Sequence, residues 1–315
     1  MRLKALKSEF EKNKRIYEST KLEFEGVGGL DVYNPSIPFS MNGKEYIFGR
    51  VENREKWARS WVMLFEKTDR DRYKLLKDSM IYQLEDPYIA FINDELVLGG
   101  THVRYSAGKI DTYYGYFYRG TDINNMYYFT TGPDYMKDIR LVQLQDKRIG
   151  VFSRPRSREI YEKYGSESVV GFTVIDSLDE LTAKKIANAK VIDGLIGTEE
   201  WGGCNQCYLL KSGKIGVIGH QSYDDNGMSV YMNTAFVFNP ENFEVSDFKI
   251  IGTRSCYPDG PAKKPNLVDC AFTSGIVMRA DGKADLYSGI GDTEAGRITI
   301  DYPFDEILST VLGTY

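Results

Sequence analysis

The sequence predicts an all-β fold, a five-bladed β-propeller with a short N-terminal helix. Three observations carry this. After Gly26 the chain is a series of short β-branched and aromatic runs broken by NG, ND, DK, SG and DG pairs, the pattern of consecutive hairpins. Tyr and Phe number 23 and 16 against 10 Pro and 3 Trp, which favours strands and supplies rings on which sugar faces can stack. Aligning the hairpins on their turns reveals five similar units, and five blades fit a chain of 315 residues.

Helix-like spacing is confined to the start, where Leu3, Leu6, Phe10 and Ile16 stand among Lys and Glu; residues 1–25 form a helical lead-in and 26–315 a single propeller domain. The first unit is KEYIFGRVENR with RSWVMLFEK, and the second is EDPYIAFINDELVLGGTHVR with YYGYFYRGT. The third pairs DIRLVQLQDKRIGVFSRPR with VVGFTVID, and the fourth NQCYLLKSGKIGVIGHQ with TAFVFNP. The fifth, DCAFTSGIVMRADGKADLYSGIGD, closes on GRITIDYPF. Units two to five open on Asp86, Asp138, Asn205 and Asp269. In a propeller the first strand of each blade lines the axis, so these four should converge at one mouth. The second strands end in Arg50 and Glu52, His102 and Arg104, Arg154 and Arg156, His220, and Asp292, adding polar groups to the same funnel. A Greek-key sandwich, the competing architecture, would scatter them.

A net charge of −5 without a basic block excludes nucleic acid as a partner. The N-terminal MRLKALKSEFEKNKRIYEST lacks the apolar core of a signal peptide or anchor, and no stretch approaches eighteen apolar residues, so a cytoplasmic protein without a membrane partner is expected. Cys204 and Cys207 have CxxC spacing, but they fall in a strand–turn–strand pattern without two further zinc ligands; reduced structural thiols and no metal are expected.

Asp86 precedes Pro87, which cannot donate within a ladder, so it marks a rim position. Taken alone, an acid before Pro reads first as a turn or strand start, and it is the repeat that raises the functional reading. A carboxylic acid held near other acids in a channel mouth can have its pKa raised and act as a general acid. Arg50, Arg104, Arg140 and Arg154 cluster around a funnel that also receives both histidines, His102 and His220. Guanidiniums facing a carboxylate suit a phosphate nucleophile or leaving group; structural ion pairs with Glu52, Asp138 and Asp269 are the plainer reading. GxSxG, Walker and HExxH motifs are absent, so acyl transfer, P-loop hydrolysis and zinc proteolysis have no support.

A set of motifs then resembles the mannosyltransferase/phosphorylases of glycosyltransferase family 108, formerly domain of unknown function 1861. They are DVYNPSIPF at 31–39, FGRVENR at 48–54, EDPYIAF at 85–91, GPDYMKDIRL at 132–141, FSRPR at 152–156, GGCNQCYLL at 202–210, GHQSY at 219–223 and LYSGIGDTEAGR at 286–297. The wider resemblance is to the five-bladed phosphorylases of glycoside hydrolase family 130, whose general acid is the Asp of a similar EDPR motif; here Tyr88 replaces that Arg. The resemblance implies transfer of mannose in β-1,2-linked oligomannosides to or from phosphate, with Asp86 as general acid/base. It implies inorganic phosphate or mannose 1-phosphate as substrate and no separate cofactor. Arg50, Arg154, His220 and Arg140 would hold phosphate. Asp138, Asn205, Asp269, Asp292, His102, Arg104 and Tyr287 would bind the oligosaccharide. Phosphate is already a nucleophile, so one acid suffices where a hydrolase needs an acid and a base. Two alternatives stand beside this: a propeller glycosidase using water, and a non-catalytic glycan-binding propeller.

Overall fold

The computed structural model describes residues 2–56 and 59–309. Its strands form five sheets arranged as the blades of a propeller. In blade one, Asp31–Tyr33 and Phe39–Met41 share the axial position against Lys44–Glu52, followed outward by Ser60–Asp69 and Arg72–Leu75. Blade two runs outward through Glu85–Ile92, Glu95–Ser106, Lys109–Gly120 and Tyr127–Thr131. Blade three comprises Arg140–Gln143, Ile149–Ser153, Gly171–Ile175 and Lys190–Val191, with a helix, Arg158–Tyr164, inserted after its second strand. Blade four is Glu200–Leu209, Ile215–Asp225, Met228–Phe238 and Val245–Gly252. Blade five is Ala271–Met278, Lys283–Ile290 and Glu294–Asp301, completed at its outer edge by Glu18–Lys21.

The turn chemistry explains the hairpins. Asn42–Gly43, Asn93–Asp94, Ala107–Gly108 and Asn226–Gly227 all have positive φ at both positions, the geometry of two-residue turns whose twist matches paired strands. Strands buried on both faces wedge apolar clusters between neighbouring blades. Phe39, Phe48, Ile89 and Leu98 pack between blades one and two, and Ala90, Phe117, Leu141 and Val151 between two and three. Phe152, Phe172, Cys207 and Phe238 pack between three and four, and Tyr208, Ile218, Ile276 and Leu286 between four and five. Val32, Phe65, Tyr73 and Tyr287 fill the remaining wedge between five and one. The four cysteines are buried free thiols, and burial pushes those of Cys204 and Cys270 up, so they behave as small core side chains.

The lead-in expected over 1–25 is helical only over Arg2–Asn13, whose Leu3, Leu6 and Phe10 pack on blade four against Tyr223, Val230 and Met232. The rest joins the propeller: Glu18–Lys21 closes blade five, and Glu23–Glu25 pairs in parallel with Arg72–Leu75 of blade one. Both are short polar edge strands, whose alternation is too brief to read in a charged segment. Arg297, 1% exposed, clasps this closure: it forks onto Asp71 of blade one at 2.7 and 2.9 Å and meets Glu18 and Asp285 of blade five.

Three axial strands carry a bulge, at Asp86 with Pro87, at Asn205 and at Ser274, and all four residues border one small cavity. The blade-five counterpart of Asp86 and Asn205 is therefore Ser274. Alignment on the turns had matched Asp269 instead, which lies just before the strand begins.

Candidate active site

The bulges and the strand ends above them build a funnel of about 700 Å³ at one end of the axis. Asn34, Arg50, Glu85, Asp86 and Asp292 form one wall, and Lys137, Arg154, Arg156 and His220 another. Val103, Ile110 and Tyr113 edge it on the side of blade two, and Trp201, Tyr231 and Phe272 on the side of blades four and five. A second cavity, about 400 Å³, opens at the other ends of the axial strands, and among the described residues its charged lining is Asp94 and Lys147, both in turns.

Backbone conformation marks the funnel. Asn34, Asp86, Asp138 and Asp292 all have left-handed backbones, with φ of 43°, 50°, 57° and 56°. Asn and Asp tolerate this region best among residues with a Cβ, and such conformations persist where surrounding structure over-determines them. Two glycines make room for the same groups. A Cβ at Gly289 would lie 1.6 Å from Asn34 Oδ1, and one at Gly203 would lie 3.2 Å from both Arg154 Cδ and His220 Cε1.

On the carboxylate wall, Arg50 Nη1 donates to Asp86 Oδ1 at 2.9 Å, and Nη2 meets Glu52 at 2.9 Å and Glu85 at 3.1 Å. The guanidinium lies 4.7 Å from the Tyr33 ring centre, and the Tyr33 hydroxyl donates to Glu52 at 2.8 Å. Lys263 pairs with Glu52 as well. Asn34 Nδ2 donates to Asp86 Oδ1 at 2.8 Å and to Asp292 Oδ1 at 3.3 Å, tying the two aspartates together. Burial works to raise both, with different outcomes. For Asp86, Arg50, Lys137 and the Asn34 bond outweigh burial and hold its pKa below the usual carboxylate range. For Asp292, burial assisted by the Asp86 charge wins and its pKa is raised. Glu85 is raised too, by burial first and by Asp86 in addition, against Arg50.

On the opposite wall, Asp138 accepts from Arg154 Nη1 at 2.7 Å and lies 3.4 Å from Arg140 Nη2. Burial opposes ionisation of Asp138, but the two arginines prevail and lower its pKa. Arg154 Nε donates to the Gly202 carbonyl at 2.8 Å, and Nη2 has no bond to a described residue. Lys137 makes no ion pair or hydrogen bond with a described residue, yet lines the funnel; burial disfavours its charge, and Asp138 and Asp86 restore and strengthen it. His220 is pushed down to about 3 by burial and then by Arg154, so its ring is neutral. Nδ1 lies 2.8 Å from Asn205 Oδ1, and with that oxygen as acceptor Nδ1 carries the hydrogen. Buried Nε2, without a hydrogen-bond partner among the described residues, is then an acceptor.

The structure thus brings together Asp86, Arg50, Arg154, His220 and Asp292 from the residues singled out in sequence. Asp138, Asn205 and Arg140 do not line the funnel but sit behind it. Arg140 spends its donors on the Asn205 and Ile139 carbonyls and on Asp138, stacked 4.4 Å from the Tyr88 ring centre, so it braces the wall and has no fork left for phosphate. Four residues lie elsewhere. Asp269 pairs with Lys7 of the N-terminal helix at 2.5 Å. Tyr287 is buried in the wedge between blades five and one. His102 and Arg104 occupy the far face of their strand: His102 Nδ1 meets the Gln83 carbonyl and its ring packs on Tyr114 and Tyr116, while Arg104 pairs with Asp111 in solvent. Strand alternation turns Val103 into the funnel instead. Asn34, Glu85 and Lys137 were missed as site residues, although each lies inside a quoted motif, DVYN, EDPY or MKDIR.

The fold and the site define a five-bladed propeller with a polar axial funnel in which a carboxylate wall faces a cationic one. Over residues 8–306 the sequence matches the family described as a protein of unknown function, DUF1861, and the chain belongs to that family. MPT-4, a mannose phosphorylase from Leishmania mexicana solved in complex with phosphate ion, is 52% identical over 99% of this chain and 97% of its own, with a TM-score of 0.93. MPT-1, a GDP-Man-dependent mannosyltransferase from the same organism, is 47% identical over 99% of both chains, with a TM-score of 0.91. An endo-arabinase from Bacteroides thetaiotaomicron shares the fold alone, at 12% identity and a TM-score of 0.57 over 95% of this chain and 100% of its own. A comparison with curated proteins finds no match.

Proposed function

We propose that the protein transfers mannose between phosphate and β-1,2-linked mannosides with inversion, using Asp86 as general acid/base. The observation that carries this is the uneven pairing of charge across the funnel. Glu52, Glu85, Asp86 and Asp292 crowd around Arg50 and Lys263, whereas Lys137 and Arg154 Nη2 line the cavity with donors that no described residue pairs. An anion fits beside the second set and is repelled by the first. The similarity to MPT-4, solved with phosphate, supports the same reading.

In phosphorolysis, a phosphate oxygen held by Lys137 and Arg154 attacks the anomeric carbon. The glycosidic C–O bond breaks on the opposite side, and Asp86 gives its proton to the departing oxygen, directly or through a sugar hydroxyl, yielding mannose 1-phosphate and a shortened glycan. The ionised Asp86 of the free protein is the form needed in the reverse direction, where it accepts the acceptor hydroxyl's proton as phosphate departs. Arg50 first and Lys137 second hold the Asp86 pKa down, so a phosphate dianion beside Lys137 offsets the lesser of the two cations and raises the carboxyl's proton affinity for breakdown. Neutral His220, through Nε2, accepts a hydrogen bond from the phosphate hydroxyl or a sugar hydroxyl, and Asn34 and Asp292 bind the transferred mannose.

The test is incubation with mannose 1-phosphate and mannose. Release of phosphate with formation of a β-1,2 disaccharide is expected, and no phosphate release would sink the reading. GDP-mannose as donor forms the second arm, motivated by the similarity to MPT-1; turnover with GDP-mannose alone would replace the phosphorylase by a nucleotide-sugar transferase.

A further inference from the structure

The second and third strands of blade two, Glu95–Ser106 and Lys109–Gly120, form a hairpin that turns at Ala107–Gly108 beside the funnel. Val103 pairs across it with Tyr113, and Tyr105 with Ile110; a register shift between Ile110 and Thr112 keeps these two pairs on one face. Val103, Ile110 and Tyr113 line the funnel together with Arg50, Glu85 and Asp86. Ile110 and Tyr105 continue the strip outward into an adjoining hollow bordered by Arg59 and Lys109.

The two faces of this hairpin differ. On the far face, His102, Tyr114, Tyr116 and Tyr128 pack on one another and back onto the blade. On the funnel face, Ile110 and Tyr105 are 40% and 36% exposed. The strip that lines the funnel is Val103, Ile110 and Tyr113, with Tyr113 braced edge-on by Tyr135; it is too small for a stable protein interface and runs directly into the reaction cavity. Its shape and neutrality suit a flat ring with one apolar face and hydroxyls around its edge. It also lies on the side of Glu85 and Asp86, where the leaving oxygen departs, rather than beside Lys137 and Arg154.

We infer that this hairpin face is the acceptor subsite: the sugar unit attached to the transferred mannosyl stacks on Tyr113 and Ile110, and the next unit reaches Tyr105. The inference rests on reading the funnel as a mannosyl-transfer site, and it makes the hairpin the determinant of acceptor length.

The test uses Tyr113→Ala and Ile110→Glu, with Tyr128→Ala on the far face as control and thermal melts to verify folding. With mannose 1-phosphate saturating, kcat/KM for β-linked mannobiose should fall about tenfold in the first two variants, the loss of roughly one stacked ring. The donor KM should stay within about twofold, since an acceptor contact does not touch the donor. Unchanged acceptor kinetics, or donor and acceptor KM rising together, would overturn the inference. A calorimetric titration of mannobiose in the presence of inorganic phosphate separates it from the reading of the reaction. Binding by the wild type that Ile110→Glu abolishes, without turnover, keeps the subsite and removes the transferase. Neither binding nor turnover removes both.

Discussion

The two walls of the funnel are built from the same materials and balanced in opposite ways. On the side of blades five, one and two, Arg50 is shared by Glu52, Glu85 and Asp86, and Lys263 is bound to Glu52, so negative charge is in excess. On the side of blades three and four, Asp138 is divided between Arg140 and Arg154, Glu167 pairs with Arg156, Asp224 stands at the margin, and Lys137 has no ion-pair partner among the described residues. Buried charge without a partner is costly, so a surplus of one sign facing a surplus of the other implies a ligand that completes both. A glycosyl donor carrying phosphate does so: its anion answers the cations, and its hydroxyls and leaving oxygen answer the carboxylates.

The comparison breaks first at Asp86. Asp86→Asn keeps a residue that accepts a left-handed backbone, so the variant folds, but it cannot exchange a proton; kcat should fall by a hundredfold or more, roughly the scale of general-acid removal, with an unaltered melting curve. Full turnover in that variant would dismiss Asp86 as acid/base. Gly289→Ala tests the same wall without touching a reacting group. The added methyl must displace Asn34, which ties Asp86 to Asp292, and a loss of about tenfold or more in kcat is expected. Wild-type rates would show that the Asn34 bridge is dispensable.

The cationic wall is sharpened by Lys137→Met. Removing a charge-assisted contact to an anion should raise the KM for phosphate about tenfold to a hundredfold, with a smaller effect on neutral acceptor sugars. An equal loss for both substrates would mean that Lys137 serves only to lower the pKa of Asp86.

Much of this was legible in the residues, and the misses have specific physical origins. The hairpin turns announced the blades because Asn–Gly and Asn–Asp pairs are chosen for positive φ. Asp86 was legible because its bulge sits at a strand start beside Pro87, and Asn205, aligned with it on the turns, shares the bulge but stands behind the funnel, bonded to His220. Asp269 was matched to them because it precedes the first strand of blade five, whereas the bulge lies inside that strand at Ser274, and sequence spacing does not reveal a bulge. His102 and Arg104 failed by phase: a strand's alternation is visible, but which parity faces the axis depends on the neighbouring blade. Tyr287, expected to bind the oligosaccharide, is core: aromatic residues inside a strand do not reveal which face they pack on. Lys137 went unnoticed beside Asp138, because a basic residue next to an acid reads as an ordinary surface pair until the arginines that capture the acid are seen.

The smallest expected effect concerns His220, whose neutrality separates the two walls by type of group as well as sign. Its folded pKa of about 3 is far below the ordinary histidine value of 6.5, owing to burial and then to Arg154, with Lys137 and Arg140 adding and Asp138 opposing. A depressed histidine pKa means that the unfolded chain binds the proton first. Its contribution to stability is therefore intact above pH 6.5 and is lost progressively as pH falls from 6.5 toward 3. Between pH 7.5 and 5.5 this costs about 1.4 kcal/mol, one pKa unit of linkage. His220→Gln has no such proton to take up, so its unfolding free energy in urea should decline by that much less over the same interval, whatever its absolute stability. The carboxylates held low, Asp86 and Asp138, lose their contribution only below the ordinary aspartate range, and the raised Asp292 and Glu85 cancel between the two proteins. Parallel declines in wild type and variant would mean that His220 carries a proton in the native state, and the cationic wall would then hold phosphate with one more charge than proposed.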